Sequence, residues 1–191
     1  MFQEKPFESG PRTPAIEVRT LGRYQILIGG TPLRFERRAP QRALQLLALL
    51  ITRDRQTTGL GTIADLLWPE ADGFDAQRAL TTTLHRLRRL LGSCEAIRLV
   101  GGQMWIDPDI CQIDAWLLER SVRSAVGPEA LADALELYRG PFLGDDPSPW
   151  AISMRTRLER MVANGRDLLA SHRGAADGWR TTLYRAWAAA G

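Results

Sequence analysis

Residues 76–91 hold four arginines, one histidine and three threonines, most of them within the stretch ALTTTLHRLRRLLG. A guanidinium is a planar fork of donors that pairs two-pronged with phosphate oxygens or with the O6 and N7 edge of guanine. It stays charged at every physiological pH, so it neither shuttles protons nor attacks an electrophile. The chemistry this cluster offers is recognition of a polyanion.

The other reactive groups are few and poorly spaced for catalysis. His85 and His172 have no Cys, Asp or Glu at ligand or triad spacing. Cys94 and Cys111 lack metal or redox spacing, and two reduced thiols are expected. Asp145 and Asp146 sit in a loop rich in Pro and Gly, where capping of the helix near Trp150 is expected rather than acid–base work. GLGTIA, residues 59–64, formally fits the G-x-G-x-x-A dinucleotide fingerprint. It follows RDRQTT, which is no buried strand, and no βαβ pattern surrounds it. With no P-loop either, the sequence predicts no enzyme, no cofactor and no metal.

The chain of 191 residues is 45% hydrophobic, enough for one ordinary domain or two small ones with a core. No apolar run approaches the roughly 20 residues that cross a bilayer. The opening MFQEKPFESGPRTP has no apolar signal region, so residues 1–15 read as a disordered lead-in to a cytoplasmic chain with no membrane partner. Among 25 basic residues Lys5 is the only lysine, and the net charge is only +3. Arginine abundance therefore says little by itself, and its placement carries the information.

The elements that would position the cluster follow from periodicity. EVRTLG, YQILIGG and TPLRFE read as three strands, with Gly29-Gly30 as a hairpin turn and Leu33 and Phe35 on a buried face. Pro40 opens a helix whose leucines, through Ile51, leave it largely buried. TIADLLW, residues 62–68, predicts a short second helix stopped by Pro69, and Asp75 a cap for a third that Gly92 ends. AIRLV and QMWID flank Gly101-Gly102 as a second hairpin, with Trp105 expected to anchor it to the third helix. Helical segments then follow near 113–125, 129–138, 150–171 and 179–190, broken by the loop 140–150, with no strand expected.

On a wheel of 100° per residue, Ala76, Leu80, Leu84, Leu87 and Leu91 fall within about 40° of one line, a core face. Arg78, Thr82, His85 and Arg89 fall within about 40° of the opposite line, flanked by Thr81, Arg86 and Arg88. A solvated helix ordinarily mixes charge signs for i,i+4 pairing, whereas this outward face holds no carboxylate. A short helix, a turn, a basic amphipathic helix and a Gly-tipped hairpin is the order of a winged helix.

LGRYQILIGGTPLRF, IADLLWPEADG and ALTTTLHRLRRLLG together resemble the DNA-binding domain of bacterial SARP/AfsR-type regulators, and ALELYRGPFLGDDPSPWAISMRTRLERM resembles the opening of their activator domain. The resemblance covers about residues 16–172. It implies a mainly α fold with small β-sheets: an OmpR-like winged helix-turn-helix over 16–108, then a TPR-like bacterial transcriptional activator domain over 109–191. It also implies transcription regulation by sequence-specific binding to double-stranded promoter DNA, often at direct repeats, with contacts to RNA polymerase. By matching positions, Arg78, Thr82, His85, Arg86 and Arg89 take the DNA-contacting role, and Leu80, Leu84 and Leu87 the core role. Arg88 stands at the LRR step, where it contacts DNA or braces the hairpin.

Two features depart from the family pattern. The glycines of TTGLGT predict a late or frayed start to the second helix, at about 1 kcal/mol per interior Gly. The segment SHRGAADGWRTTLYRAWAAAG has no room for a complete repeat of about 34 residues, so the helical array reads as truncated.

Around the central helix, Arg37, Arg38 and Arg42 suit phosphate contacts, and Gly101, Gly102 and Gln103 form the tip of the wing. Arg155, Arg157 and Arg160 read as the wet side of a helix rather than another basic patch, and Trp68, Trp116 and Trp150 as packing residues. The rival reading is a protein-interaction module whose winged helix no longer binds DNA. Its truncated array would leave an apolar end for a partner or for homodimerisation.

Overall fold

The structure is a computed structural model that describes residues 15–35, 39–54 and 56–188, with side chains as far as 172. Arg37 and Arg38 lie outside the described residues, as does the lead-in before Ala15.

The chain opens with β1 (Ile16–Arg19), β2 (Gln25–Ile28) and the two-residue β3 (Thr31–Pro32). Alternation does its work in β1, where Ile16 and Val18 are buried while Glu17 and Arg19 face outward and pair at 2.7 Å. Gly29 and Gly30 turn the next hairpin with φ of 54° and 79°, the left-handed pair that a two-residue turn requires. The expected third strand is shorter than its sequence suggests: Leu33 packs half-buried against the core while Phe35 is exposed, so only the first of the two expected inward side chains reaches it.

α1 (Gln41–Ile51) is the central helix, with Ala43 and every residue from Leu46 to Ile51 buried. The Pro40 carbonyl accepts the amides of Ala43 and Leu44 at 3.0 and 3.1 Å, so the proline sits where its missing N–H costs nothing. α2 (Leu60–Leu67) starts two residues earlier than predicted and runs through Gly61. The reason is an unpredicted strand, β4 (Thr58–Gly59), which pairs with β6 (Gln103–Ile106), while the Leu60 amide bonds the Gly102 carbonyl at 3.0 Å. Tertiary pairing anchors the start that two glycines alone would let fray. It also disposes of the G-x-G-x-x-A match, since Gly59 ends an antiparallel strand rather than a parallel crossover.

α3 (Gly73–Leu91) is followed by β5 (Ile97–Val100), which pairs with β6 around Gly101-Gly102 at φ of 57° and 75°. The second half corrects the expectation of no strand: β7 (Cys111–Ile113) runs parallel to β1 and completes the four-stranded sheet β3-β2-β1-β7. Three residues alternating inward as Cys111 and Ile113 are too short a run to distinguish from the start of α4 (Asp114–Ser124). α5 (Pro128–Leu135) and α6 (Pro149–Ala188) complete the array. The two final helices expected from sequence are one continuous element of 40 residues. Gly165 lets it approach α5, because a Cβ there would stand 3.1 Å from a Leu135 methyl.

The two halves share one hydrophobic cluster that reaches from Ile16 to Val162. Polar contacts lock them as well. The Asp114 carboxylate accepts the amides of Thr20 and Leu21 and the Thr20 hydroxyl at 2.6–2.9 Å, and the Trp116 indole donates to the Ile51 carbonyl at 2.8 Å. Residues 20–22 bond to 141–143 through Gly22 to Pro141 and Leu143 to Thr20, burying Phe142. Among the described residues no helix is long and apolar enough to cross a membrane.

Candidate nucleic-acid interface

α3 is defined by its ends. The Asp72 carboxylate, not Asp75, caps its N-terminus, accepting the Asp75 amide at 2.8 Å. Gly92 closes it in the left-handed conformation at φ 65°, and the Ser93 amide reaches back to the Arg88 carbonyl. Asp75 in the first turn and Arg88 and Arg89 in the last complement the helix dipole.

The buried side is the predicted one, Ala76, Leu80, Leu84, Leu87 and Leu91, with Thr83 added, and it packs on α1 and α2. Each buried leucine contributes about 1.5–3 kcal/mol, so the helix is held firmly and its rotation about its own axis is fixed. That rotation turns Arg78, Thr81, Thr82, His85, Arg86 and Arg89 outward, all exposed. The two threonine hydroxyls donate to the carbonyls of Gln77 and Arg78 at 3.0 Å, which leaves their methyls and oxygen lone pairs outward. His85, Arg86 and Arg89 make no hydrogen bond or ion pair with another described residue. This surface is cationic, free of carboxylates, and runs over the twelve residues from Arg78 to Arg89.

Of the remaining candidates, Arg88 and Arg42 each have a structural duty. Arg88 is half-buried and donates twice to the Ile97 carbonyl, at 2.7 and 3.2 Å, bracing β5 against α3. Arg42 donates to the Leu67 carbonyl at 2.9 Å and lies 5.7 Å over the Trp68 ring, tying α1 to the end of α2. At the wing, Gly101, Gly102 and Gln103 are exposed. Met104 and Ile106 anchor the hairpin to the core in place of Trp105, which alternates to the other side and is only half-buried.

One ion pair fixes the base of the wing, Arg98 to Asp107 at 2.9 Å. Burial pushes the Asp107 carboxyl up. The Arg98 hydrogen bond and charge, with the amides of Asp109 and Ile110, outweigh it and hold the group below the usual carboxylate range. Beside the exposed Gln103, the wing's tip also presents apolar surface, with Val100 65% exposed next to Leu99.

Sequence reasoning missed Phe74. It is 71% exposed on the first turn of α3, with the Arg78 guanidinium 5.8 Å from its ring centroid. Taking Asp75 as the cap left Phe74 outside the helix; the Asp72-x-x-Asp75 spacing, that of a capping pair, was the signal available.

The wet side expected on α6 holds for Arg157 and Arg160, which are exposed, while Arg155 is half-buried. Arg155 donates to the carbonyls of Phe142 and Asp146 at 3.1 and 3.0 Å, and Arg157 pairs with buried Glu119 at 3.0 Å, leaving only Arg160 unpartnered among the described residues. Arg155 holds the 140–150 loop and Arg157 holds α4, while Arg157 and Arg160 remain exposed to water. The described residues hold no cluster of metal-ligating side chains, and Cys94 and Cys111 are both free thiols.

No family model matches the chain. Over 176 residues, 80% of this chain, it is 28% identical to the regulatory protein AfsR of Streptomyces griseus, of whose length it spans 18%. Its fold matches Mycobacterium tuberculosis EmbR, solved in complex with a low-affinity phosphopeptide, with a TM-score of 0.68 at 19% identity, over 93% of this chain and 50% of that one. These matches bear out the resemblance to SARP-type regulators and the OmpR-like winged helix with a helical region as the fold.

Proposed function

We propose that this chain is a transcriptional regulator that binds double-stranded promoter DNA by sequence, with α3 in the major groove and the 97–107 hairpin as its wing. The observation that carries the reading is the outward face of α3: Arg78, Arg86, Arg89 and His85 exposed and unpaired to any carboxylate, on a helix whose opposite face is locked into the core. Guanidinium forks on such a face read guanine edges, and Thr82 offers a methyl and a lone pair within the same groove. Arg37, Arg38 and Arg42, near the start of α1, hold phosphates, as do the amides of the Gly101-Gly102 tip. Phosphate contacts set register and base contacts set sequence.

RNA polymerase is the partner this reading supplies for the helical region, as the resemblance to SARP-type regulators implies. Self-association is assigned to the same region. An open apolar groove of about 490 Å³ lies between α4, α5 and α6, lined by Val122, Leu131, Met161 and Leu168. A chain that stays monomeric by light scattering at high concentration contradicts the self-association.

Selection of bound sequences from random duplex DNA, followed by a salt titration on the winner, tests the central reading. An enriched motif with a slope of about −0.9 per neutralised phosphate is expected. A steep slope without enrichment means phosphate binding alone. Absence of binding at low salt hands the chain to the interaction-module reading, for which the groove on the helical half is the supporting feature. Within the complex, Arg86→Ala is expected to relax base preference by about 1–3 kcal/mol at one position. Arg38→Ala is expected to weaken all sequences alike.

A further inference from the structure

An aromatic side chain that is 71% exposed gains nothing from folding at its own position, and Phe74 is the most exposed residue of its kind on α3. Its direction is set by the helix. Stepping 100° per residue places Phe74 within about 40° of Arg78 and about 20° of His85, so it continues the row that Arg89 ends. It also occupies the first turn of α3, and in helix-turn-helix proteins the N-terminal residues of the recognition helix are the ones that meet base edges. The Arg78 guanidinium lies 5.8 Å from the ring centroid, within cation–π range, so the two side chains lean on one another and are partly ordered before any ligand arrives. Neither side chain makes another polar contact with a described residue that would pull it from this row.

We propose that Phe74 is a specificity-determining residue that reads the 5-methyl group of a thymine, next to the base pair that Arg78 reads. The inference rests on the DNA-binding reading and names part of its specificity. The chemistry is direct: thymine is the base that presents a methyl in the major groove, and a phenyl ring is among the side chains that contact it without a hydrogen bond. An arginine stacked on that ring is directed to a neighbouring guanine, because the ring blocks its guanidinium on one side. The expected recognition unit is a thymine adjoining a guanine at one end of each half-site.

Uracil differs from thymine in that groove by the methyl alone, which makes it the probe. The duplex enriched by the full chain is synthesised with each thymine replaced singly by deoxyuridine, and affinities are measured by fluorescence anisotropy. For the unaltered protein, one replacement beside a guanine is expected to weaken binding about fourfold, the effect of one methyl removed from an apolar contact. Phe74→Ala is expected to bind the thymine and uracil duplexes equally at that position, and Phe74→Leu to keep part of the difference. Phe74 is exposed, so both variants are expected to melt with the unaltered chain. Tight binding of the enriched motif with no thymine-to-uracil effect, or an effect that Phe74→Ala leaves intact, overturns the inference and leaves the DNA-binding reading standing. Failure to enrich any motif overturns both.

Discussion

Two helices of this chain carry rows of arginine and put them to opposite uses. On α6, Arg155 holds the backbone of the 140–150 loop and Arg157 holds Glu119 on α4, so the charges are consumed in fastening one half of the molecule to itself. On α3, Arg86 and Arg89 reach no carboxylate or carbonyl, and Arg78 rests only on Phe74. The helical pattern of basic residues is similar in both. What differs is the surroundings: α6 packs beside acidic and carbonyl groups of the helical half, whereas α3 has its carboxylates, Asp72 and Asp75, confined to one end. In a protein whose basic residues are nearly all arginine, the proposed interface on α3 is set apart by Arg86 and Arg89, which the fold leaves without internal work.

That contrast can be broken by substitution, and the effects should separate cleanly. The combined change Arg78→Ala, Arg86→Ala and Arg89→Ala is expected to cost at least 100-fold in affinity for the enriched duplex, with unfolding free energy within about 0.5 kcal/mol of the original. The check is anisotropy paired with urea denaturation. Arg157→Ala is expected to do the reverse, leaving DNA affinity near its original value and lowering stability by about 2 kcal/mol. It leaves the Glu119 carboxylate, 2% exposed, with only the longer Arg123 pair at 3.8 Å, though Arg157 itself is 45% exposed and the loss falls short of that for a fully buried pair. Comparable loss of DNA binding in both variants would remove the distinction.

Arg88 sharpens the comparison because it stands on α3 yet works internally. Arg88→Ala releases the Ile97 carbonyl, and a stability loss of about 1 kcal/mol is expected. Faster amide exchange along β5 should accompany it, with a smaller loss of affinity than the triple variant gives. The smallest effects concern pH. Burial raises the Glu119 carboxyl above its ordinary value despite Arg157 and Arg123. A raised acid is protonated more readily in the folded chain, so its contribution to stability falls as pH rises from the ordinary carboxylate value through the folded one. Glu119→Gln should therefore gain on the original chain across that window. Asp107 runs the other way: its lowered pKa gives stability that is present above the unfolded carboxylate value and lost as pH falls through the folded one. Asp107→Asn should flatten the acid limb of wing unfolding, measured by Trp105 fluorescence.

Strong local codes were legible in the sequence. Gly-Gly turns at 29–30 and 101–102, the leucine stripe of α3 and the αL stop at Gly92 each rest on steric rules that act within a few residues. Interactions set by distant partners were not. β4 and β7 are two and three residues long and exist because β6 and β1 supply their partners. The fates of Arg155 and Arg157 depend on Phe142, Asp146 and Glu119. Phe74 was hidden by a cap misplaced from Asp72 to Asp75. For the interface the division is the same: the wheel identified which side of α3 faces out, and only the packed structure showed which arginines there are unpaired and that Arg88 is not.

The most direct test of the central claim compares arginine side chains inside one sample. Arginine Nε–Hε resonances are assigned and followed as the enriched duplex is added to the full chain at moderate salt. The account predicts shifts at Arg78, Arg86 and Arg89, with Arg155 and Arg157 unmoved. Shifts concentrated at α6, with α3 silent, would contradict it and place the nucleic-acid contact on the other helix.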